Sequence, residues 1–514
     1  MVQLSVPDIC DHILVRGVNW IGDAVMTMPA LHALKRSVPG GTVTLLIKPW
    51  VAPLFEKDPN IDEIILYTDA YKGIGGRIRL AARLRRRRFC AAVLLQNAFD
   101  AALIAFLSGI SLRVGYGRDG RRPLLTASIP FDDHAKRLHH VDYYLNLLRK
   151  AGFPADSAAP WLYLSIEERI QARERLSHLR RPVVGINPGA TYGSSKRWRA
   201  DRFAAVAASV IRELRGSIVI FGGPAEAGIA NEVRDAINVP GAESDVFVAA
   251  GKTGLRELAA LISECDVLVT NDSGPMHVGY AVGTPVVAIF GSTSPELTGP
   301  PSEGSVVIKK DIQCAPCFER ECGRGDFLCM QAIEADEVFS AVRKLSGSRP
   351  AVFFDRDGTL CRDAHFLSRM EDLHVFSGIQ SLRRLKDKGY LLIGVSNQSG
   401  VARGLVEDGF VRRVNEMFIR EYGLDAFYYC PHHPDDHCSC RKPEPGLLYQ
   451  ARNRFGLDLK RSFVVGDKEI DMLLAKSVGA RGIQVRTGAE GPAQNADIIV
   501  EDLEGAVAII DGRL

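Results

Sequence analysis

Three things are scarce in this chain of 514 residues, and each absence excludes a class of protein. Long apolar runs are missing: no window reaches the 18 clean apolar residues expected of a membrane-spanning helix. The nearest, residues 89–110, is broken by Gln96, Asn97 and Asp100 and reads as a buried strand followed by a helix. Charge imbalance is missing too. The chain has 64 Lys and Arg against 61 Asp and Glu, a net charge of +3, which argues against general nucleic-acid binding. At the N-terminus, residues 1–8 lack a basic stretch leading into an apolar core, so no secretory signal is expected. The eleven cysteines of such a chain are then expected as reduced thiols or metal ligands rather than disulfides, and the expected compartment is the cytoplasm.

What is present is an ordinary soluble composition, 46% hydrophobic and 24% charged, in a chain too long for one core. Neither an internal repeat nor a low-complexity tract is visible. Short apolar strands alternate with helical stretches up to about residue 345, which predicts an α/β protein with βαβ units and mostly parallel sheets. Strands are expected at 12–16, 43–47, 92–95, 183–186, 218–221, 267–270 and 286–290. Residues 166–179 read as a charged helix, and Arg180-Arg181-Pro182 marks a break. The expected domains are 1–180, 181–345, a linker at 346–350 and a third α/β unit at 351–514. Open parallel sheets bind ligands beyond the carboxyl ends of their strands, so two facing sheets would enclose a substrate. The basic run Arg83-Leu-Arg-Arg-Arg-Arg88 is either a solvated helix face or a contact for anionic lipid or a phosphorylated acceptor.

The most informative stretch is Ala351-Val-Phe-Phe-Asp355-Arg-Asp357-Gly-Thr359. An apolar strand runs into two aspartates at i and i+2, whose side chains point the same way on an extended segment. Gly358 permits a tight turn, and the Thr359 hydroxyl can brace it. Ser396 and Asn397 close a strand at 391–395, Lys442 follows a Cys/His-rich loop, and Gly466-Asp467-Lys-Glu-Ile-Asp471 follows another strand. These four motifs, in this order, resemble the haloacid dehalogenase superfamily across the whole unit. The resemblance implies that Asp355 is a nucleophile forming an aspartyl phosphate and that Asp357 is general acid and then base. It sets Ser396, Asn397 and Lys442 against the phosphoryl group. It also implies Mg²⁺ held by Asp355, Asp467 and the Asp357 backbone carbonyl, with Asp471 in support. The short interval from Thr359 to Ser396 leaves room for a minimal cap only. Cys430, His432, Cys438 and Cys440 offer the donor set of a tetrahedral structural zinc, with His433 and His437 as spares. That loop, with Arg441 next in sequence, resembles D-glycero-D-manno-heptose 1,7-bisphosphate phosphatases, which implies Arg441 on the substrate's other phosphate. The zinc loop is similar to that of histidinol-phosphate phosphatases as well, so both substrates stand open.

Three further signals sit at the ends of expected strands in the first part. Arg16-Gly-Val-Asn-Trp-Ile-Gly22-Asp23 leads from a strand into a helix and places Asp23 near its N-terminus. Asn187-Pro-Gly-Ala-Thr191-Tyr-Gly-Ser-Ser195-Lys196 is a glycine-bearing loop whose hydroxyls and lysine suit a diphosphate. Thr270-Asn-Asp272-Ser273-Gly274-Pro-Met-His277 ends a strand and opens a helix, where free N–H groups receive anions. With Glu226 after Phe221-Gly-Gly-Pro, these residues resemble ADP-heptose:lipopolysaccharide heptosyltransferases, most closely heptosyltransferase II, over nearly all of 12–345. The resemblance implies two Rossmann-like domains in the GT-B arrangement and inverting transfer of heptose from ADP-heptose to a lipopolysaccharide inner-core acceptor. Asp23 would be the base, Thr191 and Lys196 would meet the donor phosphates and Glu226 the ribose. Asp272, Ser273, Gly274 and His277 would line the donor site. Arg113 and Arg118 are candidate contacts for acceptor phosphate. Cys314, Cys317, Cys322 and Cys329, spaced C-x2-C-x4-C-x6-C, could bind zinc or an iron–sulfur cluster or stay reduced.

The joint expectation is a bifunctional enzyme of heptose metabolism in lipopolysaccharide core assembly, touching the cytoplasmic face of the inner membrane peripherally. By the same resemblances its two steps are not consecutive. The other reading leaves one half as a non-catalytic binding module.

Overall fold

The computed structural model describes residues 10–488 and 491–512, so the reading of residues 1–8 lies outside the described residues. The chain divides into two compact units: Met1–Ser165 with Arg175–Arg343, and Ile166–Glu174 with Lys344–Leu514.

The first unit contains two six-stranded sheets. One is built from β1 (His12–Arg16), β2 (Thr42–Ile47), β3 (Glu63–Leu66), β4 (Ala91–Leu94), β5 (Leu112–Tyr116) and β6 (Ala127–Ile129), in the order β3-β2-β1-β4-β5-β6. The other uses β7 (Val183–Asn187), β8 (Ser217–Ile220), β9 (Val246–Val248), β10 (Val267–Asn271), β11 (Val286–Ile289) and β12 (Ser305–Ile308), in the order β12-β11-β10-β7-β8-β9. The second unit holds β13 (Ala351–Phe354), β14 (Leu391–Asn397), β15 (Ala426–Cys430), β16 (Phe463–Gly466), β17 (Arg481–Val485) and β18 (Ile498–Val500), in the order β15-β14-β13-β16-β17-β18.

All three sheets share one winding. The chain starts at the centre, steps outward through the second and third strands, returns, and steps out the other way. The neighbouring strands pair in parallel, for example β1 with β4, β7 with β10 and β13 with β16. Parallel sheets are covered on both faces, which is why β4, β11 and β13 are buried at every residue and read as unbroken apolar runs. The winding reverses between β1 and β4, between β7 and β10 and between β13 and β16, and a crevice beyond their carboxyl ends is the default ligand position.

The helices that matter below are α1 (Ile21–Arg36), α2 (Gly73–Arg85), α3 (Phe99–Leu107), α4 (Ile166–Arg175), α5 (Gly274–Ala281) and α6 (Glu469–Val478). Residues 89–110 form β4 and then α3, as their polar interruptions require, and no described helix is long and apolar enough to cross a membrane. Helix α4 is shorter than the predicted 166–179. Its residues Ile166–Glu174 belong to the second unit. There the buried Arg169 donates to the Tyr449 hydroxyl at 3.1 Å, and Arg173 donates to the Lys476 carbonyl at 3.0 Å. Between Thr359 and Ser396 the chain makes short 3-10 turns and the helix Arg383–Asp387, without a separate cap layer.

One expectation fails. Cys10 and Cys90 form a disulfide, with Cα atoms 5.7 Å apart, so these two are not reduced thiols. Cys10 stands just before β1 and Cys90 just before β4. Those strands are neighbours, so the pairing depends on sheet order, which an 80-residue separation conceals. The other nine cysteines are free.

Candidate active sites

In the second unit, Asp355 follows β13 and Asp467 follows β16, on either side of the switch point. Asp355 is anchored by its backbone N–H on the Val465 carbonyl at 2.9 Å. Lys442 is almost fully buried. Its Nζ donates to Asp355 Oδ1 at 2.5 Å, to Asp471 Oδ1 at 2.6 Å and to the Val395 carbonyl at 3.2 Å. Two buried carboxylates therefore share one buried lysine, and a third, Asp467, stands close by without it. Burial, with Asp471 and Asp357 nearby, pushes Asp355 up to about 6 despite Lys442. Burial and the charge of Asp355 push Asp467 up to about 8. Burial works against the charge of Lys442, but Asp355 and Asp471 more than offset it and hold its pKa above the ordinary range.

Both Asp467 oxygens are buried without a hydrogen-bond partner, and Lys468 Nζ stands 3.9 Å away, too far to supply one. Carboxylate oxygens of Asp355, Asp467 and Asp471 all lie within 4.8 Å of one another. An orphaned carboxylate among hard oxygen donors fits a divalent cation such as Mg²⁺. The pocket is shaped to leave Asp467 room. Gly358 sits at φ +94°, and a methyl there would lie 2.3 Å from Asp467 Oδ2; at Gly488 it would lie 2.0 Å away.

The other expected residues surround this centre. Asp357 accepts from Arg356 Nε at 3.1 Å, Arg356 Nη2 at 3.0 Å and Gln398 Nε2 at 2.7 Å. Gln398 also donates to Ser396 Oγ at 2.7 Å. Asn397 and Lys442 exchange two bonds, Lys442 N to Asn397 Oδ1 at 3.0 Å and Asn397 Nδ2 to the Lys442 carbonyl at 3.2 Å. Arg441 keeps a buried Nη1 without a partner. The Thr359 hydroxyl is buried and unpartnered, so it does not brace the turn as expected. Thr487 does, donating to the Gly358 carbonyl at 2.5 Å.

Beside this site Cys430, His432, Cys438 and Cys440 converge. Cys430 and Cys438 sulfurs are 3.4 Å apart, Cys438 and Cys440 3.4 Å, and His432 Nδ1 lies 3.2 Å from Cys440 and 3.6 Å from Cys430. Metal–sulfur bonds of about 2.3 Å in a tetrahedron give ligand–ligand edges of about 3.8 Å, so the set fits zinc with little movement. His433 is spent locally, its Nδ1 accepting from the Asp435 N–H at 3.3 Å.

In the first unit, Asp23 lies in the first turn of α1, with its carboxylate 3.6 Å from His140 Nδ1. The N-terminus of α1 meets α5: a methyl at Gly22 would lie 2.7 Å from His277 Cδ2. His277 is buried, and burial lowers its pKa to about 4; its Nδ1 is 2.9 Å from the Tyr280 hydroxyl. Lys196 donates to Asp272 Oδ2 at 2.5 Å, and Thr293 donates to the same oxygen at 2.6 Å. Asn187 Nδ2 donates to Ser273 Oγ at 3.1 Å. Ser273 is the N-cap residue of α5; its side chain makes no cap bond, while its carbonyl accepts the Met276 N–H at 3.1 Å. Glu226 fills the space beside Gly189 and accepts from the Gly223 N–H at 2.9 Å. Thr191 is exposed on the same loop.

Residues 77–327 match glycosyltransferase family 9 (heptosyltransferase), and residues 439–506 match the HAD-hydrolase-like family. Lipopolysaccharide heptosyltransferase 2 of Escherichia coli (strain K12) is 32% identical over 308 residues, 58% of this chain and 87% of that protein. D-glycero-beta-D-manno-heptose-1,7-bisphosphate 7-phosphatase of Yersinia pestis is 39% identical over 188 residues, 33% of this chain and 99% of that protein. The chain joins a family 9 glycosyltransferase to a HAD-type phosphatase. The solved structure of E. coli ADP-heptose lps heptosyltransferase II aligns with a TM-score of 0.57 at 29% identity, covering 65% of this chain and 98% of that one. The transferase part therefore has the GT-B arrangement, and the phosphatase follows it.

The two arginines expected at the acceptor phosphate have partners of their own. Arg113 donates through Nε to the Leu124 carbonyl and through Nη1 to the carbonyls of Ile110 and Ser111. Arg118 stacks on Phe131, 4.4 Å from the ring centroid, and lies 3.5 Å from Asp119. In the phosphatase, Arg356, Gln398, Gly488 and Thr487 were not expected. Arg356 sits between Asp355 and Asp357 in sequence, and that placement was the available signal. Gly488 and Thr487 lie in a loop with no motif of its own.

Proposed function

We propose that the phosphatase removes the C7 phosphate of D-glycero-D-manno-heptose 1,7-bisphosphate, and that the transferase moves heptose from ADP-heptose to a lipopolysaccharide inner-core acceptor with inversion. The observation that carries the first half is the buried Asp355–Lys442–Asp467 centre with the unpartnered Arg441 nitrogen next along the chain. Asp355 attacks phosphorus and becomes an acyl phosphate while Asp357 protonates the leaving sugar oxygen. Asp357 then takes a proton from the water that attacks the same phosphorus, releasing Asp355. Arg356 and Gln398 hold the Asp357 carboxylate in one orientation for both proton transfers. Lys442 fixes Asp355 and offers positive charge to the phosphoryl oxygens. Asp355, Asp467 and the Asp357 carbonyl would hold Mg²⁺, which when bound would neutralise phosphoryl charge. Arg441 would receive the second phosphate as a charge-assisted pair. Zinc at Cys430, His432, Cys438 and Cys440 would pin the loop that carries Arg441 and Lys442.

In the transferase, Asp23 takes the acceptor hydroxyl's proton as that oxygen attacks the anomeric carbon and ADP leaves. Lys196 and the N–H groups at the start of α5 balance the departing diphosphate, with Thr191 on the same phosphates and Glu226 on the ribose. The acceptor is lipid-linked in this reading. Arg85, Arg86, Arg87 and Arg88 are exposed beside α2, whose Ile74 and Ile78 are 77% and 55% exposed. A basic surface with protruding apolar side chains suits an anionic headgroup layer, at the cytoplasmic face of the inner membrane.

The test uses the full chain with ADP-heptose and truncated lipopolysaccharide acceptors, and separately with heptose bisphosphate and histidinol phosphate. Asp355→Asn should cut phosphate release by roughly 10⁵-fold and spare transfer. Asp23→Ala should do the reverse. Preference for histidinol phosphate would replace the phosphatase assignment, and two variants with unaltered turnover would end both.

A further inference from the structure

One cysteine set is absorbed by neither activity. Cys314, Cys317, Cys322 and Cys329 are all free, and all four line a single cavity of about 160 Å³ in the transferase unit. The chain between β12 and the short helix Leu328–Gln331 has no regular element of its own. It nevertheless holds Phe318 and Phe327 at φ +59° and +48°, a left-handed conformation that bulky residues keep only where their surroundings impose it. All four cysteines share this cavity wall. Their donor atoms are more widely spread than the 4.8 Å clusters of the phosphatase, so binding would draw them inward.

We infer that Cys314, Cys317, Cys322 and Cys329 bind one soft metal ion through four thiolates, and that this ion fixes the loop on which the donor-phosphate loop rests. The first half follows from ligand chemistry: four thiols around one small cavity suit tetrahedral zinc or iron, and loops too short to order themselves take their order from such an ion. The second half rests on the proposed reading of residues 187–196 as the donor-phosphate loop. Three bonds join the two loops, and a fourth ties the cysteine loop to Ser292. Ser195 N–H donates to the Arg320 carbonyl at 3.1 Å and Ser195 Oγ to the Glu319 carbonyl at 2.5 Å. Tyr192 Oη donates to the Phe318 carbonyl at 2.8 Å, and Phe318 N–H to the Ser292 carbonyl at 2.7 Å, itself next to Thr293 on Asp272. Lys196 follows Ser195 directly, so slack in the cysteine loop becomes misplacement of the lysine.

The experiment counts metal in the purified full chain by mass spectrometry and by colorimetric release on titrating the sulfurs with a mercurial. Two thiolate-bound ions per chain are expected, one from each cysteine-rich site. The pair Cys322→Ser with Cys329→Ser should hold one, as should Cys438→Ser with Cys440→Ser. Visible absorbance identifies iron and a colourless two-ion chain identifies zinc; either supports the site. Release of a single ion from the wild type, which needs no variant to fold, overturns it. So does wild-type metal content in the Cys322/Cys329 pair. For the coupling, Cys322→Ser should raise KM for ADP-heptose about tenfold with a smaller change in kcat. A metal-depleted variant with unchanged KM overturns that half. Absence of transfer in the wild type would sink the reading of the first unit and leave the metal count standing.

Discussion

Lys442 and Lys196 have related tasks in unlike settings. Each stands near the carboxyl end of a parallel sheet and each holds an aspartate at 2.5 Å. Lys442 is shared among carboxylates, with both Asp355 and Asp471 on its Nζ and Asp467 left over. Lys196 faces one carboxylate, Asp272, which also has a neutral partner in Thr293. The phosphatase centre carries an excess of buried negative charge that calls for a cation, and the transferase pair is balanced until a donor arrives. A diphosphate entering the transferase must draw Lys196 away from Asp272. In the proposed mechanism a phosphate entering the phosphatase meets a lysine already shared by two carboxylates, so much of its charge would fall to the cation.

The largest effect should come from Lys442→Met. Breaking a buried pair strands Asp355 and Asp471, so the second unit should lose roughly 3–5 kcal/mol in urea unfolding, and phosphate release should fall at least about 10²-fold. The matching change in the other unit is milder. Lys196→Met should raise KM for the donor by roughly 10–100-fold while costing the first unit about 1 kcal/mol or less, because Thr293 still serves Asp272. Equal destabilisation of the two units would break this contrast. A third measurement uses pH. His277 has its folded pKa lowered to about 4 by burial, against 6.5 when unfolded. The unfolded chain then binds more protons between those values, so stability is complete above pH 6.5 and is lost as pH falls. Unfolding of the first unit should lose about 2 kcal/mol between pH 7 and pH 5, and His277→Gln should remove that slope. The smallest effect is Thr487→Val, which deletes one bond to the Gly358 carbonyl. It should cost about 1 kcal/mol and slow the phosphatase a few-fold, with no change in transfer.

The motifs were legible because chemistry at the end of a strand fixes residue type and spacing over a few positions. Asp355, Ser396, Lys442 and Asp467 come together at one site, and Cys430, His432, Cys438 and Cys440 converge as their spacing implies. The central strands were legible because both faces are buried. Short strands such as β6 and β9 were not, since three residues near a sheet edge carry no pattern of their own. Contacts that depend on tertiary placement stayed hidden: Thr487 under Gly358, Gly488 against Asp467, Cys10 against Cys90. The common strand order of the three sheets was also invisible, because winding is set by how parallel strands connect and leaves no repeated residues.

Helix α4 has a consequence for biosynthesis. Ile166–Glu174 emerges from the ribosome ahead of β7–β12, yet its partners, Tyr449 and Lys476, lie in the last part of the chain. The segment waits, with Arg169 unburied, until translation is nearly finished. A gene cut at residues 346–350 would therefore yield a phosphatase fragment missing one of its own helices.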